Sequence, residues 1–469
     1  MMNETVAAVS TPRGRGGVAV IRISGGEAAR VASACFVPAG VIIPWKKGGE
    51  RRAVYGSIVD PARPGETVDT GICTFFAGPG SYTGEDTAEI SCHGGIAVTE
   101  AVLRAVFNAG AAPAGAGEFT RRAFINGKLT LTKAEAVGLL IDADTESRRR
   151  MAASEARGTL TDAAFGICEK LRGTLASLYA RIDYPDEDLG ELDDGELVRV
   201  LHEAHRELAA IGESYKYGRA VADGVATVIC GEPNSGKSSL YNRMTHSDDA
   251  IVTDVAGTTR DVLRTVVDTG SMTLRLSDTA GIRRTDDAVE NIGVDRARKE
   301  LASAELVLAV FDAAKPFCLF SGLEDAPEGA VKIAVINKTD AVPSVVAESV
   351  CRKAEAAGIF HAAVPVCAIE DDADKAGLTE LFKTIDRLWN RRGCDAGHDP
   401  IIWNARQKAQ VDSVIQLMTE AEQGLEAGDM VDCVCTLVEE ALAKLSELDG
   451  RGVCEDIVSE IFSRFCVGK

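Results

Sequence analysis

Through roughly the first 120 positions, apolar and polar residues alternate in short runs: Val18-Ala-Val-Ile-Arg-Ile23, Thr70-Gly-Ile-Cys-Thr-Phe-Phe76 and Thr87-Ala-Glu-Ile-Ser91, separated by Gly/Pro clusters. A period of two closed by turn residues predicts strands. Between Gly95 and about Gly110 the rhythm changes, because Ile96, Val98, Val102, Leu103 and Val106 recur at helical spacing. An α+β domain over residues 1-125 follows. From Lys133 to about Lys216 the chain is Ala/Leu/Glu/Arg-rich and reads as helical, with a break at Asp183-Tyr-Pro-Asp-Glu-Asp188, where proline meets clustered acids. Residues 221-389 alternate apolar runs with helical stretches, the pattern of a parallel sheet covered by helices. After Arg391-Arg-Gly-Cys-Asp-Ala-Gly-His-Asp-Pro400, helical sequence resumes to the end. Helical blocks at 126-220 and 390-469 therefore flank an α/β domain inserted between them.

A chain of 469 residues exceeds one hydrophobic core, and its 46% hydrophobic and 26% charged residues are ordinary globular usage. Its formal charge of −20, from 71 acidic and 51 basic side chains, repels polyanions on average. Any nucleic acid it handles must be attracted by a local basic patch or by a partner. Thirteen cysteines occur without CxxC pairs or a His/Cys ligand rhythm, which argues against a zinc site or a disulfide framework and for a reducing, cytoplasmic setting. Most are expected to be buried small hydrophobes. The N-terminus has no apolar stretch following a basic one, and no run of eighteen apolar residues occurs, so a soluble protein without a signal peptide is expected.

The chemistry is concentrated in the α/β domain. The run Thr227-Val-Ile-Cys230 leads directly into Gly231-Glu-Pro-Asn-Ser-Gly-Lys-Ser238 and then helical Ser239-Leu240-Tyr241-Asn242. This is the strand, glycine-rich loop and helix order of the phosphate-binding GxxxxGK[ST] motif. Backbone amides of Asn234, Ser235 and Gly236 can surround phosphates, Lys237 can meet the β and γ oxygens, and Ser238 can ligate Mg²⁺, with Ser239 in the first helical turn. Taken alone the string is only suggestive, but three others follow in order. Gly257-Thr-Thr-Arg-Asp261 offers Thr259 to the metal and the γ-phosphate, and Asp278-Thr-Ala-Gly281 closes the run Leu274-Arg-Leu-Ser277 with Asp278 near the metal and Gly281 near the γ-phosphate. Asn337-Lys338-Thr339-Asp340 closes Ile333-Ala-Val-Ile336, and the Asp340 carboxylate can accept from the N1–H and N2–H₂ edge of guanine, whereas adenine would present an acceptor to it. A Ras-like, GTP-preferring G domain is predicted.

These motifs, together with GRGGVAVIRISG, GPGSYTGEDTAEISCHGG, GEFTRRAFINGKLTLTKAEAVGLLIDADTE, YPDED and the terminal FCVGK, resemble the MnmE (TrmE) family of bacterial tRNA-modification GTPases over the whole chain. The resemblance implies a potassium-activated GTPase whose G domains pair across their nucleotide faces. Asn234, Thr253, Val255 and Thr258 match the potassium ligands, and the cation supplies charge that an arginine finger supplies elsewhere. Ile282 follows DTAG, so no glutamine stands there to orient water; the family points to Glu290, with Arg283 shaping the segment. Read from residues alone, Glu290 is an ordinary exposed helix acid. The family also implies an N-terminal folate-binding and homodimerising module, with Arg22, Glu85, Lys128 and Lys469 at positions that contact 5-formyltetrahydrofolate or methylenetetrahydrofolate, though each is equally legible as a surface charge. It gives Cys466 a part in the carbon chemistry, against packing as the alternative. That chemistry is addition of an aminomethyl-type group, such as carboxymethylaminomethyl, to C5 of the wobble uridine of certain tRNAs, in a complex with MnmG (GidA), which brings FAD and NADH. One departure is visible: the late guanine-sensing loop reads Val366-Cys-Ala-Ile369 where Ser-Ala is usual, leaving the Ala368 amide to face guanine O6. Two other readings stay open. One is a regulatory GTP switch in ribosome or RNA assembly, which would have no use for Arg22, Glu85, Lys128 and Cys466. The other is a folate-dependent aminomethyltransferase with a vestigial G domain, which the intact Lys237, Asp278 and Asp340 disfavour.

Overall fold

The computed structural model describes residues 4–183, 194–245, 264–277, 298–370, 372, 374, 376–427 and 431–468. They form two compact units, Met1–Gly138 with Ser446–Lys469, and Leu139–Leu445. The first unit carries β1 (Val6–Val9), β2 (Val18–Ser24), β3 (Phe36–Pro38), β4 (Val54–Val59), β5 (Thr67–Phe76), β6 (Thr87–His93) and β7 (Ala112–Pro113). They lie in the order β3-β4-β5-β6-β2-β1-β7, antiparallel throughout except for the parallel pair β1 and β7. The alternation read from the sequence is realised in β2, where Ala19, Ile21 and Ile23 are buried and Val18, Val20 and Arg22 point the other way. Helices Ala28–Cys35 and Ile96–Asn108 cover the buried face, placing Val31, Val102 and Val106 against Ile21, Ile58 and Ile90. Each such side chain contributes roughly 1.5–3 kcal/mol by leaving water.

The helix Glu118–Ile125 brings Phe119 onto the opposite face, against Val6, Ala8 and Ala114. The last helix of the chain, Glu455–Ser463, seats Val458 and Phe462 on Leu131 and Ala134. Beyond it the tail is ordered by backbone: Val467 bridges to Ala116, and Gly117 donates to the Cys466 carbonyl at 3.3 Å. Gly468 allows this close approach, because a Cβ there would stand 2.0 Å from the Val9 oxygen.

The second unit joins a helical body to a sheet. In the helices Asp194–Glu213 and Ala405–Ala427, Leu201, Ala204, Leu208 and Ile211 and their counterparts Val411, Val414, Met418 and Ala421 are buried at alternating three- and four-residue spacing. This is the seam that lets two helices interlock. The sheet contains β8 (Val225–Gly231), β9 (Arg264–Asp268), β10 (Thr273–Ser277), β11 (Leu306–Asp312), β12 (Val331–Asn337) and β13 (Ala362–Pro365). Its order is β13-β12-β11-β8-β10-β9, parallel except for β9. Leu306 to Phe311 are all buried, as helix-covered parallel strands require. This is the doubly wound Ras-like sheet inserted into a helical domain.

Sheet and helical body are joined by polar contacts at the β9–β10 turn. Asp268, 6% exposed, accepts from the Glu146 amide at 2.8 Å, the Ser147 amide at 3.4 Å and the Ser147 hydroxyl at 3.2 Å, at the start of helix Glu146–Arg157. The Thr145 and Thr273 hydroxyls meet at 2.9 Å, and the Tyr217 hydroxyl donates to the Ser271 carbonyl at 3.0 Å.

The cysteines divide differently from expectation. Cys35, Cys73, Cys92, Cys168, Cys367 and Cys435 are buried, but Cys318, Cys433, Cys454 and Cys466 are exposed and three more are half-buried. The exposed four lie in loops, the tail or an outward helix face, where a thiol has no core to fill. Among the described residues no helix is long and apolar enough to cross a membrane.

Glu155 is fully buried and accepts from the Leu160 amide at 3.1 Å and the Ile401 amide at 3.3 Å. Burial raises its pKa to about 7 despite those two amides. A carboxyl whose folded pKa lies above its unfolded value stabilises the fold below the unfolded pKa, and that contribution is lost as pH rises through the folded one. The unfolding free energy is therefore expected to carry a component that declines between about pH 4.5 and 7 and is absent in Glu155→Gln, as chemical denaturation at several pH values would measure.

Candidate functional site

The glycine-rich loop leaves β8 at Gly231 and enters the helix Lys237–Thr245. Its turn is built from backbone that side chains resist: Asn234 stands at φ 64° and Gly236 at φ 98°. At Gly236 a Cβ would lie 2.0 Å from the Asn337 Nδ2, so only glycine lets the two loops touch. The Lys237 ammonium donates to the carbonyls of Gly231 at 3.0 Å and Glu232 at 2.8 Å, drawing it back over the loop. Burial lowers its pKa, opposed by the neighbouring Cys230 thiol, which burial itself pushes up to about 12. Ser238 is exposed in the first helical turn and Ser239 is half-buried beside it. Ser235 is buried, and its hydroxyl has no hydrogen-bond partner among the described residues.

The second half of the site comes from the carboxyl ends of β12 and β13, where open α/β sheets place their ligands. Asn337, 2% exposed, donates from Nδ2 to the Ser235 carbonyl at 2.9 Å and accepts on Oδ1 from the Ala368 amide at 3.1 Å. Lys338, at φ 63°, donates to the Asn234 carbonyl at 2.7 Å and to Asp312 at 2.8 Å. Burial pulls the Asp312 pKa upward, but the Lys338 hydrogen bond, the Ala314 amide and the charges of Lys338 and Lys315 outweigh it and leave the group lowered. Asp340 is exposed on the turn Thr339–Ala341, and the Cys367 thiol donates to its Oδ1 at 3.3 Å. Burial, then that hydrogen bond, raises the Cys367 pKa. Asn234, Ser235, Gly236, Lys237, Asn337, Lys338, Asp340 and Ala368 are thus assembled around one end of the sheet. Thr253, Val255, Thr258, Thr259, Asp278, Gly281, Arg283 and Glu290 lie outside the described residues, as does Lys469. Asp312 was not singled out in the sequence, and Cys367 entered only as a departure from Ser-Ala. An aspartate ending the strand before the Asn337 strand, and a thiol two residues from the Pro365 strand end, were the available signals.

In the first unit, the Arg22 guanidinium reaches Glu89 at 2.8 Å and lies over the rings of Tyr82 at 5.3 Å and Phe119 at 5.5 Å. Glu85 accepts from the Ser24 hydroxyl and from Arg122, each at 2.9 Å. Arg122, 3% exposed, also donates to Glu118 at 2.9 Å, so a buried arginine missed in the sequence fixes the Glu85 carboxylate. Lys128 donates to the Pro79 carbonyl at 2.9 Å, and Cys466 is exposed in the paired tail. Among the described residues no group of three or more His, Cys, Asp or Glu could hold a metal ion.

Comparison with known proteins places these two constellations in one lineage. The family described as GTP-binding protein TrmE N-terminus matches residues 5–128, and the one described as MnmE helical domain matches residues 131–466. A tRNA modification GTPase MnmE of Thermoanaerobacter sp. strain X514 is 37% identical over 470 residues, spanning 100% of both chains. That of Levilactobacillus brevis is 35% identical over 99% of this chain and 98% of its own. Among solved structures, a point variant of Aquifex aeolicus Era bound to GDP·AlF4− is 24% identical over 41% of this chain and 66% of that one, with a TM-score of 0.27. The G domain of the Thermotoga maritima FeoB iron transporter is 24% identical over 34% of this chain and 94% of its own, with a TM-score of 0.24. With both family regions matched and full-length identity above a third, the chain belongs to the MnmE (TrmE) family of tRNA modification GTPases.

Proposed function

We infer that this chain hydrolyses GTP and uses the cycle in modifying tRNA. The observation that carries the reading is the Asn337 side chain, which ties the loop for the phosphates at Ser235 to the loop for the base at Ala368. A ligand that fills both must carry phosphates at one end and a purine at the other. Asp340 reads the N1–H and N2–H₂ edge of guanine, held in orientation by Cys367. Lys237 contacts the β and γ oxygens once it leaves its carbonyl partners.

Two cations suit the residues present. The Ser238 hydroxyl is free to face solvent at the loop end and, with Thr259, would hold Mg²⁺. Asn234 is exposed, with its own carbonyl engaged by Lys338, so its side-chain oxygen is a neutral donor of the kind a weakly hydrated monovalent ion accepts. With Thr253, Val255 and Thr258 it would hold K⁺, which supplies positive charge toward the phosphates. Glu290 and Arg283 are assigned to water activation.

In the first unit we assign Arg22, Glu85, Lys128 and Lys469 to a reduced folate. Exposed Tyr82 beside Arg22 supports a planar ligand there, with buried Phe119 backing the guanidinium. Cys466 is assigned to the carbon transfer onto C5 of the wobble uridine, with MnmG as the FAD-bearing partner and a homodimer through this unit.

Nucleoside mass spectrometry of tRNA from cells lacking the gene tests substrate and chemistry together: loss of a C5-modified wobble uridine is expected, and an unchanged nucleoside profile would refute the reading. Replacing potassium with sodium is expected to slow GTP hydrolysis by about tenfold or more, since sodium carries the same charge but is too small for a set of neutral oxygens that fits potassium; equal rates in the two salts would remove K⁺ from the mechanism. Asp340→Asn is expected to weaken GTP by about 2 kcal/mol and to admit xanthosine triphosphate in competition assays, because an acceptor facing the guanine edge gives way to a donor.

A further inference from the structure

The GRGG string that helped mark the family has no part in either constellation above, yet it borders a cavity. The loop from Thr11 to Gly17 joins β1 to β2, and with the start of the helix Ile96–Asn108 it encloses about 660 Å³. Its lining includes the apolar Val9, Pro12, Val18, Ile96 and Leu103 and one carboxylate, the exposed Glu100. Val18 and Ile96 are 62% and 56% exposed and offer apolar surface to a ligand in the cavity. Arg13 and Arg15 also line this space, are exposed, and form no ion pair or hydrogen bond among the described residues.

The loop is pinned rather than loose. Gly16 donates to the Gly94 carbonyl at 3.1 Å and Gly94 returns to the Gly17 carbonyl at 3.4 Å. Gly94 permits this contact, since a Cβ there would stand 2.6 Å from the Gly16 oxygen. The loop that carries Arg13 and Arg15 is therefore anchored at its Gly16–Gly17 end, with both arginines beside the apolar lining.

We propose that this cavity binds single-stranded RNA of the tRNA substrate, with Arg13 and Arg15 on successive backbone phosphates and an unstacked base in the slot between Val18 and Ile96. The proposal rests on the reading that tRNA is the substrate. Charge complementarity favours the contact: phosphate is drawn to Arg13 and Arg15, while the exposed Glu100 accepts from a base N–H. In a chain of net charge −20, an unpaired arginine pair is the kind of local attraction that a polyanion requires.

The test is binding of an anticodon stem–loop RNA to the full chain across a salt series, comparing the unaltered protein with Arg13→Ala/Arg15→Ala and Arg13→Lys/Arg15→Lys. The alanine pair is expected to weaken binding about tenfold and to reduce the slope of log K against log salt by about one to two, while the lysine pair keeps the slope. Matching melting temperatures show that the variants fold. Equal affinity and slope in the alanine pair would overturn the pocket alone; an unaltered chain that binds no RNA would overturn the tRNA reading together with it. Dissociation of an oligomer by the alanine pair, with RNA binding intact, would assign the cavity to a second copy of the chain and overturn the proposal.

Discussion

The nucleotide half of the molecule depends on one buried amide. Asn337 has a donor and an acceptor on a planar group and uses both, toward Ser235 on the phosphate side and Ala368 on the base side. Neither partner can shift without stranding a polar atom where water does not reach, which costs about 1–3 kcal/mol. Gly236 makes the contact sterically possible, and Lys338 repeats the linkage one residue later by joining Asn234 to Asp312. The two recognition loops therefore form one rigid cradle, spaced before any ligand arrives.

The first unit solves a similar problem with charge. Arg122 is nearly inaccessible and lies among Glu85, Glu118 and the carbonyl of Glu4. Removing either carboxylate would leave the buried guanidinium short of a charged partner, an error of up to about 3–5 kcal/mol. The Glu85 carboxylate is consequently fixed in place. The tail is held close by backbone pairing at Val467, so Cys466 is exposed without being adrift.

Much of this architecture was legible in the chain. The alternation over Val18–Ile23 and the apolar run Ile333–Ile336 marked the strands β2 and β12 because sheet burial imposes those patterns directly. The phosphate and base loops were legible because their chemistry permits few residue types at fixed offsets. What escaped was set by distant pairing. Arg122 reads as one arginine in Arg121-Arg122, and only the approach of Glu85 makes it a buried hub. Cys367 reads as a departure from Ser-Ala, and only the turn at Asp340 gives its thiol an acceptor. The thiols of Cys318, Cys433 and Cys454 were misjudged because small apolar character alone does not say which way a helix or loop turns a residue.

The β9–β10 turn has a mechanical consequence. Asp268 spends both carboxylate oxygens on the start of one helix and on its own turn, while Thr273 and Ser271 are secured by Thr145 and Tyr217. Sliding the hairpin along that helix would break several contacts at once with no intermediate register to receive them. The outer edge of the sheet and the helix Glu146–Arg157 therefore behave as a welded corner, transmitting rotation undiminished where a flexible linker would have absorbed it.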